Sequence, residues 1–465
     1  MISGDSPASM ALGTPAYPPE FGASARTAGA GAAAWYGLVV LLLTTLFAFV
    51  ARQMLALIAP SLQASLGFGD FQIGMLQGLG MAVFASLASY PLGWLADRHG
   101  RRFILAIGVA IWSLATGFCA FQSSFGGLFI GTVGIAIGEA GLAPIIFAMI
   151  PDLFPERQRN TANFIFYGGS MLGSGLGMAL GGAMLHWLAG SQHALPAWLA
   201  GVDSWRIAMT VVALFGPLFT LLVATMPLGK GMTRGSRGGA DGGDAMHAFL
   251  PYARAHWRAL LCLFGSIFAM GVAMQSCVMW FPMALPRAFG IDPTTVGLGL
   301  GTAIMIATLV GIVLPPLVLR VGRRATQLDP IRLAAIFIFM APIPAAFLPF
   351  VDSTLQAYVL AAVIGMAGIA ASSLMPGLLQ DVAPPHLRSR VLALLGITNG
   401  MALAVSPVAI GALSSVMTGP RGMLQAMTIV ALPSLIVSAL FIALARAPYA
   451  ATVRAVRSNL PGDDA

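Results

Sequence analysis

Arg52 and Glu139 are the side chains of this sequence best placed to do chemistry. The chain of 465 residues has 24 basic and 16 acidic residues, and only these two fall inside its long apolar stretches and away from their ends. A charge at the centre of a membrane span costs at least about 2.5–3.5 kcal/mol, so one that persists there usually has a partner or a task. An arginine can hold a phosphate or carboxylate through two hydrogen bonds, and a carboxylate can carry a proton. A static salt bridge is the alternative for the pair.

The stretches that hold these charges are predicted to be membrane-spanning helices. Only 9% of the residues are charged and 58% are apolar, with a mean hydropathy of +0.87, whereas soluble domains carry roughly 25% charged residues. Each apolar run is long enough to cross about 30 Å of hydrocarbon as a helix. We therefore predict an all-α polytopic membrane protein with twelve spans, near residues 35–59, 71–95, 103–122, 126–150, 163–188, 205–227, 259–285, 295–319, 333–351, 355–380, 390–414 and 422–446.

The basic residues predict the orientation in the membrane. When alternate loops are assigned to the cytoplasm, starting with the N-terminus, twenty Lys and Arg residues fall on that side and three on the other, Arg206, Arg287 and Arg421. Because basic residues concentrate in cytoplasmic loops, we expect both termini in the cytoplasm and the protein in the plasma (inner) membrane. The net charge of +8 then reflects topology and not a nucleic-acid partner.

A polar, glycine-rich segment after the sixth span divides the chain into two halves. We predict a disordered cytoplasmic tail over 1–34, a six-helix bundle over 35–228, a cytoplasmic linker over 229–258, a second six-helix bundle over 259–446 and a cytoplasmic tail over 447–465. The halves echo one another, since residues 152–155 with Arg159 recur as residues 381–384 with Arg388, 229 positions later. Such repeats are typical of secondary transporters, whose substrate site lies near the midplane between the halves.

The loop after span 2 resembles the signature of the major facilitator superfamily. The family pattern is a glycine, then an aspartate, then an arginine–glycine–arginine run, and this loop reads Gly93-Trp94-Leu95-Ala96-Asp97-Arg98-His99-Gly100-Arg101-Arg102. The first glycine would permit close approach of helices, and the aspartate could pair near a helix end. The resemblance implies a gating role for Gly93, Asp97, Arg98, Gly100, Arg101 and Arg102. An ordinary basic cytoplasmic loop is the alternative.

A narrower resemblance is to the Spinster-like branch of that superfamily. It rests on Arg52-Gln53-Met54-Leu55-Ala56-Leu57 in span 1 and on Gly138-Glu139-Ala140 in span 4. It implies export of sphingoid phosphates or lysophospholipids, with proton linkage in some members. The family pattern also has an aspartate where this chain has Ala51 and an arginine where it has Thr132. Two charges of the family network are therefore missing here.

Other residues of the spans suggest either packing or a cavity. Span 5 carries glycines spaced as in the superfamily's antiporter motif, with Met178 in place of its proline: Gly173, Gly177, Gly181 and Gly182. A close-packing face is the alternative for them. The uncharged amides of the spans are candidate cavity-lining residues, although such groups also serve as hydrogen bonds between helices: Gln77, Asn163, Gln275 and Asn399.

Together these features favour a secondary transporter of an amphipathic, anionic small molecule that works by alternating access. Arg52 would bind the head group or act as the counter-charge, and Glu139 is the candidate proton carrier. An uncoupled lipid facilitator or a multidrug exporter of the same fold is the alternative. The sequence has no phosphate-binding glycine–lysine loop and no cluster of Cys and His, so we expect no enzyme activity, cofactor or metal. We expect a monomer in the bilayer.

Overall fold

The computed structural model describes residues 31–191, 196, 201–226, 242–325, 329–384 and 387–458. Over these residues the chain is helical and has no strand, and twelve of its helices are long and apolar enough to cross a membrane. The predicted fold class is therefore confirmed. Residues 1–30 of the predicted N-terminal tail, 229–241 of the predicted linker and 459–465 of the predicted C-terminal tail lie outside the described part, as do residues 227–228 of the first predicted bundle.

The twelve spans fall into two sets of six. Spans 1 to 6 are Ala32–Leu57, Asp70–His99, Arg101–Ala120, Phe125–Leu153, Glu156–Gly190 and Ser204–Ala224. Spans 7 to 12 are Trp257–Phe289, Pro293–Ala325, Pro330–Phe350, Thr354–Asp381, Arg388–Ser414 and Gly422–Ser458. Two shorter helices, Ala59–Leu66 and Gly242–Ala255, precede spans 2 and 7. Span 12 continues past residue 446, so the predicted C-terminal tail begins as helix.

The glycines of span 4 position Glu139 inside the first half. A methyl group added to Gly138 would lie 2.6 Å from the carbonyl oxygen of Gly108, and one added to Gly134 would lie 2.8 Å from the Cβ of Ala115. Span 4 therefore packs directly on span 3 through its small residues, as helices in membranes often do. The helix is interrupted at Gly141, two residues after Glu139.

The glycines of span 5 serve close packing on two sides. A methyl group on Gly177 would lie 2.8 Å from the carbonyl carbon of Phe49 in span 1. One on Gly182 would lie 2.6 Å from the Cα of Gly297 in span 8. The first contact is inside one half and the second joins the two halves. Backbone therefore meets backbone where span 5 crosses span 8.

The internal repeat is visible in a hydrogen bond that occurs once in each half. Arg159 Nε donates to the carbonyl oxygen of Phe154 at 3.1 Å, and Arg388 Nε donates to that of Ala383 at 3.3 Å. Donor and acceptor are both 229 positions apart between the halves, the offset predicted from the sequence. The same arginine thus closes the connection between spans 4 and 5 and between spans 10 and 11.

The helix Gly242–Ala255, inside the predicted linker, docks on the second half. The Tyr252 hydroxyl donates to the carbonyl of Val382, at the end of span 10. His256 Nδ1 lies 3.2 Å from Thr452 Oγ1 in span 12. Burial raises the pKa of Tyr252 to about 12, so its phenol remains a neutral donor at physiological pH.

Candidate functional site

Arg52 and Glu139 form a direct ion pair inside the first half. Arg52 Nε and Nη2 both donate to Glu139 Oε2, at 3.0 and 2.6 Å. The Glu139 side chain is 3% exposed and that of Arg52 is 32% exposed. The structure therefore brings together the two residues that the sequence placed in spans 1 and 4. Because both bonds end on one carboxylate oxygen, Oε1 of Glu139 is left buried without a partner among the described residues.

The described residues around this pair add no further charge. Ala51 and Thr132, which stand where the Spinster-like pattern has charged residues, are fully buried. The Thr132 hydroxyl donates to the carbonyl of Leu128 in its own helix at 2.9 Å. The guanidinium carbon of Arg52 lies 6.0 Å from the centre of the Phe49 ring. Within the described residues, Glu139 has Arg52 as its counter-charge and no other.

The ion pair lies in the wall of a cavity of about 290 Å³ within the first half, whose lining includes Arg52, Glu139, Phe147, Tyr167 and Ser170. A second cavity, of about 190 Å³, lies between the halves, and its lining includes Phe281, Ile304, Ile364 and Ile369. Phe49, Ser170 and Met171 line both cavities. A charged cavity and an uncharged, mainly apolar one, whose lining also includes Ser174 and Gln275, therefore meet at these three residues.

Of the four amides proposed as cavity-lining residues, Gln275 alone lines either of these cavities. Gln77 is buried and donates through Nε2 to the carbonyl of Leu55 at 3.2 Å, so it joins spans 1 and 2. The amide oxygen of Asn163 is buried without a partner in the described part of the chain. Asn399 is exposed. Three of the four therefore lie elsewhere.

The signature loop after span 2 ties neighbouring helices of the first half together. Arg101 contacts Asp97 at 3.1 Å, Asp152 at 2.7 Å and the carbonyl of Ala148 at 2.8 Å. Gly100 has a φ of +100°, which favours glycine between two helices. The expected close approach at Gly93 is absent here, since a methyl group there would meet nothing within 4 Å.

The same loop also reaches span 6, and two of its side chains stack. Arg102 Nη1 donates to the carbonyl of Met226 at 2.7 Å. The guanidinium of Arg98 lies 5.3 Å from the centre of the Trp94 ring. All the partners named for this loop belong to the first half, so in this conformation it braces that half internally.

The match to a known family agrees with this architecture. Residues 41–407 match the family model described as Major Facilitator Superfamily. The chain belongs to this superfamily. The twelve apolar helices among its described residues make it an integral, multi-pass membrane protein. Membership of the superfamily, predicted from the signature loop and the two related halves, is confirmed.

Relatives within the superfamily are Spinster proteins. The chain is 28% identical over 225 residues to Protein spinster of Drosophila melanogaster, covering 48% of this chain and 34% of that protein. It is 28% identical over 264 residues to the sphingosine-1-phosphate transporter SPNS2 of Mus musculus, covering 55% of this chain and 44% of that protein. The chain thus spans less than half the length of these relatives. The Spinster-like resemblance is confirmed, and these matches support a transporter and not an enzyme.

A solved structure shares the fold over nearly the whole chain. A bacterial homologue of the human lysosomal transporter Spinster, in an inward-facing and unoccupied conformation, superposes with a TM-score of 0.74. The match is 21% identical and covers 94% of this chain and all of that one. At this identity the likeness concerns the fold.

A buried aspartate that the sequence reading missed joins the halves of this superfamily member. Arg287 donates through Nη1 and Nη2 to the two oxygens of Asp70, at 2.9 and 2.6 Å. Gln63 Nε2 and the Ser414 hydroxyl add bonds of 2.6 and 2.9 Å. Asp70 begins span 2 and is 8% exposed. The expectation that Arg52 and Glu139 alone carry charge within the spans is therefore wrong at this end of the bundle.

The sequence did contain a signal for this cluster. The three arginines predicted to lie outside the cytoplasm each pair with an aspartate: Arg206 with Asp203 at 3.4 Å, Arg287 with Asp70 at 2.6 Å, and Arg421 with Asp352 at 3.0 Å. Only the middle pair joins the two halves. An arginine on the predicted non-cytoplasmic side, where basic residues are rare, thus indicated an ion pair with a nearby aspartate.

Replacing Asp70 by asparagine is expected to loosen the predicted outer end of the bundle, because it removes the charge that receives Arg287, Gln63 and Ser414. A cysteine is introduced at Gln275, and a membrane-impermeant maleimide is applied from the outside. The measurement is the rate at which the maleimide labels this cysteine. We expect at least about a fivefold increase, as expected for a loss near 1 kcal/mol.

Asp352→Asn is the matched control, since its pair with Arg421 is 78% exposed on the acid and 42% on the base. Such exposed pairs contribute about 0–1 kcal/mol. Equal labelling of the two variants and the wild type would contradict a closing role for Asp70.

Proposed function

We propose that this protein is a secondary active transporter that moves an amphipathic, anionic small molecule, a lysophospholipid or sphingoid-like lipid, across the membrane. The observation that carries the proposal is the pair of adjacent cavities. One presents the guanidinium of Arg52, which suits a phosphate or carboxylate head. The other is lined mainly by apolar side chains, which suits an alkyl chain.

The relatives support this substrate class. The mouse relative is named as a sphingosine-1-phosphate transporter, and the chain covers 44% of its length. A sphingoid phosphate has one anionic head, which suits the charged cavity, and one long alkyl chain, which suits the mainly apolar cavity. We propose the class and leave the individual lipid to experiment.

Movement by alternating access is supported by where the halves touch. Asp70 meets Arg287, and Gly182 meets Gly297, at the end opposite the arginine-rich loops. In our proposal these contacts part when the two halves rock, and the cavities then open to the other side. The protein acts as a monomer in the plasma (inner) membrane, with both termini in the cytoplasm.

Proton coupling through Glu139 is the finer part of the proposal. An anionic head that takes Arg52 leaves Glu139 without its counter-charge, and a buried carboxylate without one favours the protonated form. Binding of substrate and of a proton would then support each other. The alternative is an uncoupled lipid facilitator, which the missing charges at Ala51 and Thr132 favour, or a multidrug exporter of the same fold.

The test is uptake of a labelled lysophosphatidic acid into proteoliposomes with and without a pH gradient. A gradient of one pH unit supplies about 1.4 kcal/mol per proton, so one coupled proton sustains about tenfold accumulation. We expect Glu139→Gln to lose this response, and Asp203→Asn, an exposed acid paired with Arg206, to keep it. Uptake without any response to pH would indicate the uncoupled facilitator, and movement of water-soluble drugs alone would indicate the multidrug exporter.

A further inference from the structure

Three polar atoms of the charged cavity have no partner among the described residues. The hydroxyl of Ser170 and Oε1 of Glu139 are buried and unpartnered, in residues that are 8% and 7% exposed. The third is Nη1 of Arg52, because its two bonds to Glu139 use Nε and Nη2. All three residues line the same cavity. A buried hydroxyl left unpaired costs about 1–3 kcal/mol, so such a group requires an explanation.

Ser170 differs from the other hydroxyls nearby. Thr45 lines the same cavity, yet its hydroxyl donates to the carbonyl of Leu41, one turn earlier, at 2.9 Å. The hydroxyls of Thr132 and Ser113 likewise donate to the backbone carbonyl four residues earlier, at 2.9 and 2.8 Å. A hydroxyl within a helix usually has this backbone bond within reach. Ser170 does not make it and keeps its hydroxyl free for a group in the cavity.

We propose that Arg52 Nη1, Glu139 Oε1 and Ser170 Oγ form one head-group site, which selects amphiphiles whose head carries a hydrogen-bond donor beside its anionic group. The inference deepens the proposed function and rests on it. Arg52 can only donate, so it takes the anionic oxygen. Until Glu139 takes up a proton its carboxylate can only accept, so in this first encounter Oε1 disfavours a bare anion and is satisfied by a hydroxyl or ammonium of the same head. The Ser170 hydroxyl can do either, and we propose that it donates to the oxygen of the ligand hydroxyl and so holds that group in place to donate to Oε1.

Ser170 also fixes where the head of the ligand ends and its chain begins. It lines the charged cavity and the mainly apolar cavity between the halves, together with Phe49 and Met171. A head held by Ser170 therefore directs its chain toward the second half. Ser170 is thus a specificity-determining residue at the junction, with a role separate from the charge of Arg52.

The experiment compares two ligands that differ by one donor, lysophosphatidic acid and its 2-deoxy analogue, in titrations of the purified protein. We expect the wild type to bind the hydroxylated lipid about tenfold more tightly, the effect of one buried hydrogen bond. Ser170→Ala should lose most of this preference. Ser170→Thr, which retains the hydroxyl, should keep it.

Thr45→Val is the matched control, because it removes a hydroxyl from the same cavity that is already satisfied by the backbone. It should bind both lipids as the wild type does. Equal affinity of the wild type for the two lipids, or a Ser170→Ala protein with unchanged preference, would overturn the inference while leaving the proposed function standing. A wild type that binds neither lipid nor dodecyl phosphate would overturn the proposed function itself.

Discussion

Replacing Arg52 by alanine is expected to lower the free energy of unfolding by about 3 kcal/mol and to abolish binding of anionic amphiphiles. Removing one partner of a buried ion pair leaves the other charge uncompensated, which typically costs about 3–5 kcal/mol. The lower end applies here because the Arg52 side chain is 32% exposed. Thermal unfolding of the purified variant and lipid titration are the measurements.

The double variant Arg52→Ala with Glu139→Gln separates the two effects. It removes both charges, so stability should largely return while lipid binding remains lost. Arg421→Ala is the control for loss of an arginine as such, since its partner Asp352 is 78% exposed and the pair should contribute less than about 1 kcal/mol. A double variant as unstable as Arg52→Ala would mean that the cost does not come from an uncompensated Glu139.

Adding one methyl group at Gly182 is expected to have the second large effect. In Gly182→Ala the new Cβ would lie 2.6 Å from the Cα of Gly297, so spans 5 and 8 must separate. Overpacking of this kind costs about 1–3 kcal/mol. If the cost falls on the conformation in which these spans touch, its population drops roughly five- to 150-fold relative to the other conformation.

Distances between spin labels on the predicted outer ends of spans 5 and 8 would measure this shift, and transport rates would fall with it. Gly168→Ala is the matched control on the same helix, because a methyl group there meets nothing within 4 Å. Identical distance distributions in the two variants would show that Gly182 does not govern the approach of the halves.

The core of the candidate site was predictable because a charge inside an apolar run is conspicuous in any sequence. Arg52 and Glu139 fall in spans 1 and 4, and six-helix halves place those spans together. Which atoms meet was not predictable. The use of a single oxygen of Glu139, like the close approach of span 3 to the neighbouring Gly138, is set by tertiary packing.

The pair of Asp70 and Arg287 was missed because each stands beside the boundary of a predicted span. Asp70 directly precedes the apolar run predicted to begin at residue 71, and Arg287 is 217 positions away. Hydropathy places such residues in loops. Only the approach of spans 2, 7 and 11 buries the aspartate and assigns it a partner from the other half.

The contacts of the signature glycine Gly93 depend on which conformation the protein adopts. Gly93 matches the superfamily signature, yet has open space around it here. A sequence records contacts from every state that the protein visits, whereas one structure shows those of a single state. The motif can therefore be identified from the sequence, but its contacts at Gly93 cannot.

The glycine seam between spans 5 and 8 has a consequence for the rate of switching. Because Gly182 and Gly297 meet without interlocking side chains, the halves can part there without any rotamer change. The hydrogen bonds of Asp70 to Arg287 and Ser414 must break when this end of the bundle opens, so we expect the slower step of separation there and not along the glycine seam.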